Sequence, residues 1–455
     1  MSKKKTVSRK QFLSYSAAGA VGVLGVPSLL TACGGGGNAS KSAAGYTPLK
    51  AVGEYYIPNL PDKAGDGKEL KVGLVGCGGR GSGAIENLLT AANGITVVAL
   101  GDVFQDRVDA VKGMLKEKHS MEVPAANCFA GFDSYKKVMD SGIDLVLVCT
   151  PPNFRPEHFR YSVEKGIHSF LEKPILVDPV GYRTIMAASK QAETKGLCCV
   201  TGTQRHHQRP YVESYKKIQE GLLGEITGGC VYWNQNMLWY RNREAGWSDT
   251  EWMIRDWVNW KWLSGDHIVE QHVHNIDVFT WFSGQKPVKA TAFGSRQRRV
   301  TGDQYDNFSV DFEMENGIHM HSMCRQIDGT DNNVSEFVQG TKGSWTSAND
   351  AFEIKDLDGK VVWKYEADSQ YTQNDPYVLE HVNLVNCIRK GEPIMQAPET
   401  ALSSLAAVMG RESAYSGKNT TWDEMSASPL NLMPEKLELG KMDMAKYTVA
   451  VPGSK

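Results

Sequence analysis

Along the first half of the chain the hydrophobic positions switch repeatedly between two periods. Leu70–Val75 is an apolar run of strand length, and "SGAIENLLTA" behind it carries apolar residues at helical spacing. The exchange repeats: "ITVVALGD" then "DRVDAVKGMLKEK", "IDLVLVCT" then "PEHFRYSVEKG", "IHSFLEKP" then a helix over Pro179–Lys195, and last "LCCVTGTQ". Strands alternating with helices predict a parallel, doubly wound sheet over residues 68–200. Beyond residue 200 the pattern becomes β-rich and alternating in "KPVKATAFGSRQRR", "YDNFSVDFEME" and "GIHMHSMCRQI", with Asn316–Gly317 as a hairpin turn between the last two. Amphipathic helices are predicted over Asp375–Gly391 and Glu399–Gly417, packing back on the first sheet. The pattern is that of an α/β protein with domains over 68–200 and 201–420, a tail over 421–455 and no internal repeat.

Ahead of residue 68 the chain differs in kind. It starts basic, runs through an apolar stretch from Phe12 to Leu30 and reaches a small-residue site, which reads as an export signal. Gly, Ser and Pro break it too often for a membrane span. "SRKQFL" (Ser8 to Leu13) resembles a twin-arginine signal with Lys10 in place of the second arginine. "LTAC" (Leu30 to Cys33) resembles a bacterial lipobox, in which Cys33 is lipidated and residues 1–33 are the signal peptide; a plain cleaved signal is the alternative. Gly34–Gly37 open a polar tether over 34–67. The mature protein is expected in the periplasm or on the outer surface, held to a membrane by its lipid.

Composition narrows the function classes. Of 455 residues, 41% are hydrophobic and 22% charged, as in a soluble globular protein. A net charge of −2 with no basic stripe beyond the N-terminus argues against nucleic-acid binding. Nine cysteines without CxxC pairs argue against a zinc ribbon or a disulfide scaffold, and Cys198–Cys199 reads as core.

The candidate chemistry begins at Gly76-Cys77-Gly78-Gly79-Arg80-Gly81. This GxGxxG has a strand before it, a helix after it, and a second strand ending in Asp102 about 20 residues on. Such glycines allow a tight turn and let backbone N–H groups approach a pyrophosphate at a helix N-terminus. Asp102 is placed to accept hydrogen bonds from ribose hydroxyls and to repel a 2′-phosphate, which favours NAD over NADP. Thr150-Pro151-Pro152-Asn153 and Glu172-Lys173-Pro174 fall at the C-terminal ends of later strands, where ligands of such sheets bind.

In these motifs the chain resembles the Gfo/Idh/MocA family (glucose–fructose oxidoreductase, inositol dehydrogenase, rhizopine catabolism). The matching residues are the Gly76–Gly81 turn, "CTPPN" (Cys149 to Asn153), "EKP" (Glu172 to Pro174), "GTQRHH" (Gly202 to His207) and "EQHVHNID" (Glu270 to Asp277), in consistent order over residues 68–415. The resemblance implies an N-terminal Rossmann domain and a C-terminal α/β domain with an open, mainly antiparallel sheet whose outer face often makes homo-oligomers. It implies that Lys173 and the Glu270/His274 pair flank the substrate carbon and the nicotinamide. It places Gly76, Gly78, Gly79, Arg80, Gly81, Asp102, Thr150, Pro151, Asn153, Glu172, Lys173 and Gln204 around the cofactor. Glu270 stands where an aspartate is usual, and His272 where a glycine is.

Four residues apart, Glu270 and His274 share one face of a helix, and the carboxylate is expected to orient the imidazole and raise its basicity. Either His274 or Lys173 is the base that takes a sugar hydroxyl proton. Metal binding by Glu270, His267, His272 and His274 competes, but helical positions two apart diverge; only an extended segment would gather them, so no metal is expected. "WSDTEWMIRDWVNWKW" offers Arg255, Asp256 and Trp257 to a sugar, and His272, Arg325, Tyr377 and His381 are further candidates for the cleft.

Free NAD is scarce outside the cytoplasm, so an exported enzyme is expected to hold its cofactor tightly and restore it within each cycle. Ping-pong oxidoreduction of a sugar or glycoside satisfies that. So does redox-neutral glycoside cleavage by oxidation, elimination, hydration and reduction. A non-catalytic sugar-binding lipoprotein is a third reading, opposed by the presence of Lys173, Glu270 and His274.

Overall fold

In the computed structural model, which describes residues 56–454, the period-switching half forms one six-stranded parallel sheet. Its strands are β1 (Leu70–Val75), β2 (Ile95–Asp102), β3 (Cys128–Ala130), β4 (Leu145–Val148), β5 (His168–Leu171) and β6 (Cys199–Thr201). Their order, β3-β2-β1-β4-β5-β6, reverses direction between β1 and β4, so the ends of those two strands frame a crevice. Both faces are covered by the crossover helices, and β4 is buried along its whole length. Cys198 and Cys199 lie in the core.

The second sheet has nine strands: β7 (Ile226–Gln235), β8 (Pro287–Ser295), β9 (Asn307–Met314), β10 (His319–Gln326), β11 (Asn333–Gly340), β12 (Gly343–Thr346), β13 (Glu353–Asp356), β14 (Val361–Lys364) and β15 (Thr420–Thr421). Neighbours in the order β14-β13-β12-β11-β7-β10-β9-β8-β15 are antiparallel except β7 and β10. The predicted hairpin joins β9 to β10, with Gly317 at φ +82°. Alternation separates two faces. β10 buries Met320, Ser322, Cys324 and Gln326 and turns His319, His321, Met323 and Arg325 the other way. Helix Val273–Ser283 covers the buried face, where a Cβ on Gly229 would meet Phe279.

Helix Pro376–Lys390, capped by Asp375 and ended by Gly391 at φ +66°, packs on helix Gly79–Ala91 of the first domain. Helix Ala397–Ser416 lies between helix Pro179–Thr194 and β8. Before β1, Leu60 and Ala64 are buried and the Ala64 N–H donates to Ala91 O (2.8 Å), so the stretch up to residue 67, expected as tether, packs on the first domain from about Leu60. After residue 421 comes a short helix, Trp422–Ala427, whose capping box joins Thr421 and Glu424. Cys33 and the export signal lie outside the described residues, among which no helix is long and apolar enough to cross a membrane.

Candidate active site

The glycine turn explains its own composition. Gly76 ends β1 at φ +94°, and a Cβ there would stand 2.6 Å from the backbone of Cys149 and Thr150. A Cβ on Gly81 would stand 1.9 Å from Gly76 O, so the helix is seated directly on the strand. Gly79 has nothing within 4 Å of such a Cβ, and no side chain caps the helix at Gly78. The first helical N–H groups therefore face an open cradle suited to a pyrophosphate. Asp102 closes the far side: Oδ2 accepts the Cys77 N–H (2.7 Å) and Oδ1 the Phe104 N–H (3.0 Å), leaving each oxygen a lone pair for a ribose hydroxyl. Burial pushes its carboxyl up, against the pull of these donors and of Arg107. The cradle fits a dinucleotide.

The next loops are tied by a buried arginine. Arg155 Nε donates to Thr150 O (2.7 Å), and its Nη1 to Glu172 O (2.8 Å) and Pro174 O (2.7 Å), which fixes the ends of β4 and β5 to each other. Pro151 lies between these anchors. Asn153 Nδ2 donates to Trp262 O (2.7 Å), joining the β4 loop to the second domain. Glu172 accepts from Arg80 Nε, whose Nη2 also reaches Glu380 (3.3 Å) and whose guanidinium lies 4.5 Å from the Tyr377 ring centroid. Burial works against the Arg80 charge, but the two carboxylates outweigh it and raise its pKa. Burial drives the Glu380 carboxyl well up.

Lys173 emerges from β5 into this surrounding, and here the expectation for Glu270 needs correcting. The segment is helical but broken: His267–Glu270 is one short helix and Val273–Ser283 the next. Across the break the His272 N–H reaches back to His267 O (3.1 Å) and the His274 N–H takes Gln271 O (3.2 Å). A regular α-turn would have spent Glu270 O on His274. Freed instead, that carbonyl accepts Lys173 Nζ at 2.7 Å, with Glu270 Oε1 at 3.3 Å from the same ammonium. Glu270 thus orients the lysine and not the histidine. The reason is electrostatic: a buried, unpaired ammonium costs far more than a buried, neutral imidazole.

His274 is buried, its Nδ1 has no hydrogen-bond partner among the described residues, and its ring stacks on Trp233 (centroids 5.5 Å apart). Its basicity falls, contrary to expectation. Burial, then the charges of Lys173, Arg205 and Arg80, hold its pKa well below the ordinary value.

The remaining candidates divide. Tyr377 is partly exposed beside Arg80, and Gln204 keeps a buried Oε1 with no partner among the described residues. Trp257 packs edge-on to Trp239 at 6.1 Å. Asp256, offered to a sugar hydroxyl, is wholly buried: Arg241 N (2.7 Å), Asn259 Nδ2 (2.8 Å) and Thr301 Oγ1 (2.7 Å) use its oxygens. Arg325 lies on the face of β10 opposite to Ser322, which bonds His272 Nε2 (2.7 Å). Strand alternation therefore puts Arg325 across the sheet from the helices, away from Lys173. His272 is a buried tie to β10, His267 pairs with Asp266 (3.0 Å) and His381 is buried against Phe170. Among the described residues no three His, Cys, Asp or Glu side chains gather as a metal site.

Sequence reasoning missed Glu336 and Trp233, and it had Arg205 only as part of "QRHH" (Gln204 to His207), a strand end able to reach the cleft, without its partner. Arg205 pairs with Glu336 of β11, which also accepts from Asn275 Nδ2 (2.6 Å) and Tyr211 OH (3.0 Å), and its guanidinium lies 5.7 Å from the Trp233 ring. The one available signal was Glu336 itself, a charge set among Val334, Phe337 and Val338, which asks for a partner once buried.

The chain is similar to known proteins in sequence and fold. The family model described as oxidoreductase family, NAD-binding Rossmann fold (GFO/IDH/MocA) matches residues 70–203, and the GFO/IDH/MocA C-terminal domain model matches 211–346. The chain is 21% identical over 358 residues to scyllo-inositol 2-dehydrogenase (NAD(+)) of Bacillus subtilis, covering 77% of this chain and 95% of that one. It is 28% identical over 230 residues to a glycosyl hydrolase family 109 protein of Streptomyces coelicolor, covering 50% of this chain and 45% of that one. The solved aldose-aldose oxidoreductase of Caulobacter crescentus has the same fold, with TM-score 0.62 and 17% identity over 78% of this chain and 99% of that one.

Proposed function

The chain belongs to the GFO/IDH/MocA family of NAD-binding oxidoreductases, and on that premise we propose that it moves a hydride between its dinucleotide and a hydroxyl-bearing carbon of a sugar, a glycoside or an inositol-like ring. The observation that carries this is the pairing of a seated cation with a neutral imidazole: Lys173 held by the carbonyl and carboxylate of Glu270, and His274 kept uncharged nearby. When bound, the nicotinamide ring supplies the hydride acceptor or donor. His274, neutral and on that account able to accept, takes the hydroxyl proton as the carbonyl forms. Lys173 has three N–H donors, and those not spent on Glu270 hold the substrate oxygen and stabilise charge developing on it. In the reverse direction His274 returns the proton.

NAD is the proposed form, since Asp102 at the end of β2 would repel a 2′-phosphate. The leader supports export with Cys33 as lipid anchor, so the cofactor is proposed to stay bound while one substrate is oxidised and a second carbonyl reduced. Homo-oligomers through the open face of the nine-stranded sheet, where Phe293 is 75% exposed, belong to the same reading. Similarity to family 109 hydrolases over half the chain favours a second reading, redox-neutral glycoside cleavage. The test is to purify the protein with no added nucleotide and titrate glycosides while following reduced-nicotinamide absorbance. Reduction by one sugar and reoxidation by a second ketone supports the oxidoreductase. Aglycone release without lasting reduction supports the hydrolase, and a protein that binds no nucleotide refutes both.

A further inference from the structure

A second hydrophobic cluster, separate from the main core, sits at the other end of the crevice. Phe104 and Phe154, from the loops after β2 and β4, pack there with Met253, Ile254, Trp260 and Trp262 of the segment 249–264. In a Rossmann domain the ends of those two strands flank the adenosine, and Asp102 lies two residues before Phe104. The segment closes on this edge through one side chain. Arg255 gives Nη1 and Nη2 to the two oxygens of Asp106 (3.0 Å each), gives Nε to Glu251 (2.9 Å), and stacks its guanidinium 3.9 Å from the Phe104 ring centroid. The planar fork of arginine suits it to hold a carboxylate in two bonds while covering a ring.

The C-terminal residues brace the same segment from outside. Asp249 Oδ2 accepts the Met442 N–H (2.9 Å), and Gly440 O accepts from Thr250 N and Oγ1 (3.2 Å each). On the first domain, Asp178 Oδ2 accepts the Leu432 N–H (2.8 Å). The segment 249–264 is therefore anchored at its start by Asp249 and Thr250. On the adenosine side it is joined to the first domain by a partly exposed ion pair and a ring contact.

We propose that helix Asp249–Arg255 is a clasp over the adenosine half of the dinucleotide, with Arg255 as its latch to Asp106 and Phe104. The inference rests on the dinucleotide reading and adds to it how the cofactor is kept. For adenosine to leave, Arg255 must release Asp106 and Phe104, so dissociation is gated by the latch and the cofactor is carried from one turnover to the next.

The experiment uses the full-length protein loaded with NADH and chased with excess NAD, following bound-NADH fluorescence, so that no catalysis is needed. Asp106→Asn changes a largely exposed side chain and leaves the fold intact; Arg255→Met removes the latch itself. Asp106→Asn is expected to speed NADH release about threefold and Arg255→Met, which also loses the ring contact, about tenfold, and wild-type release should quicken with salt while the variants' does not. Glu122→Gln, which opens an exposed ion pair elsewhere on the same domain, should release at the wild-type rate. Release rates of Asp106→Asn and Arg255→Met equal to wild type would overturn the clasp while leaving nucleotide binding standing. A wild-type protein that takes up no NADH overturns the dinucleotide reading and the clasp with it.

Discussion

The two ends of the crevice hold their charges in opposite ways. At the Lys173 end, where the nicotinamide is proposed to lie, Lys173 and Glu270 have side-chain exposures of 12% and 7%, and Arg205 and Glu336 of 8% and 0%. At the Arg255 end, the proposed adenosine side, Arg255 and Asp106 stand at 15% and 62%. Buried pairs are costly to break because one partner is left as an uncompensated charge; an exposed pair opens cheaply, since water takes over both partners. Chemistry needs fixed positions, and the first end is built from groups that cannot move singly. Cofactor retention needs a gate that opens at times, and the second end is built from groups that can.

The largest test of this contrast is Lys173→Met, expected to lower kcat by about 10³-fold while bound nucleotide per chain stays as in wild type. Equal loss of both would make Lys173 a cofactor anchor alone. Next, Glu336→Gln strands the Arg205 charge and is expected to cost about 3–5 kcal/mol in urea unfolding. Asp106→Asn, its counterpart at the exposed end, should cost under about 1 kcal/mol.

Acid separates the ends further. Burial pushes His158, His207 and His272 down to about 3 and holds His274 and His381 well below the ordinary value. Unfolded, these imidazoles take a proton from water near pH 6.5; folded and without substrate, they take one from water only at lower pH. Stability is therefore full above pH 6.5 and lost as pH falls toward 3, by about 1.4 kcal/mol per pH unit for each histidine that stays neutral in the fold. Thermal midpoints between pH 8 and 4 should fall in that direction; a flat profile would mean the histidines are not held neutral. Four of the five sit in the Arg205–His207 loop, in the 271–274 turn and on helix Pro376–Lys390, so acid strikes the nicotinamide side, whereas salt loosens the Arg255 latch. The smallest effect is the salt response itself, a modest quickening of NADH release across the physiological range.

Much of the first sheet was legible because each strand is a short apolar run next to a 3.6-period helix. Gly76, Gly81 and Asp102 were legible because a tight turn allows few alternatives. Lys173, Glu270 and His274, singled out in the sequence, do lie together, but their partnerships were not legible. A four-residue spacing suggests a shared helical face, and nothing in "EQHVHNID" announces the widened turn at Gln271–His272 that redirects Glu270 to the lysine. Arg325 and Asp256 are polar residues beside the right motifs, yet strand parity turns one to the far face and three local donors absorb the other. Arg205 and Glu336 lie 131 residues apart, and such long-range pairing leaves no local pattern.

The carbonyl of Glu270 has a further consequence. It holds Lys173 at 2.7 Å, closer than the carboxylate at 3.3 Å, and no side-chain replacement removes it. A mutational scan of position 270 will accordingly under-read what the position does, because each variant keeps the nearer of the two acceptors. Weakening that acceptor takes a backbone edit, such as an ester in place of the amide between Glu270 and Gln271. The seat of the lysine is thus written in the path of the main chain, where substitution leaves no trace in an amino-acid alphabet.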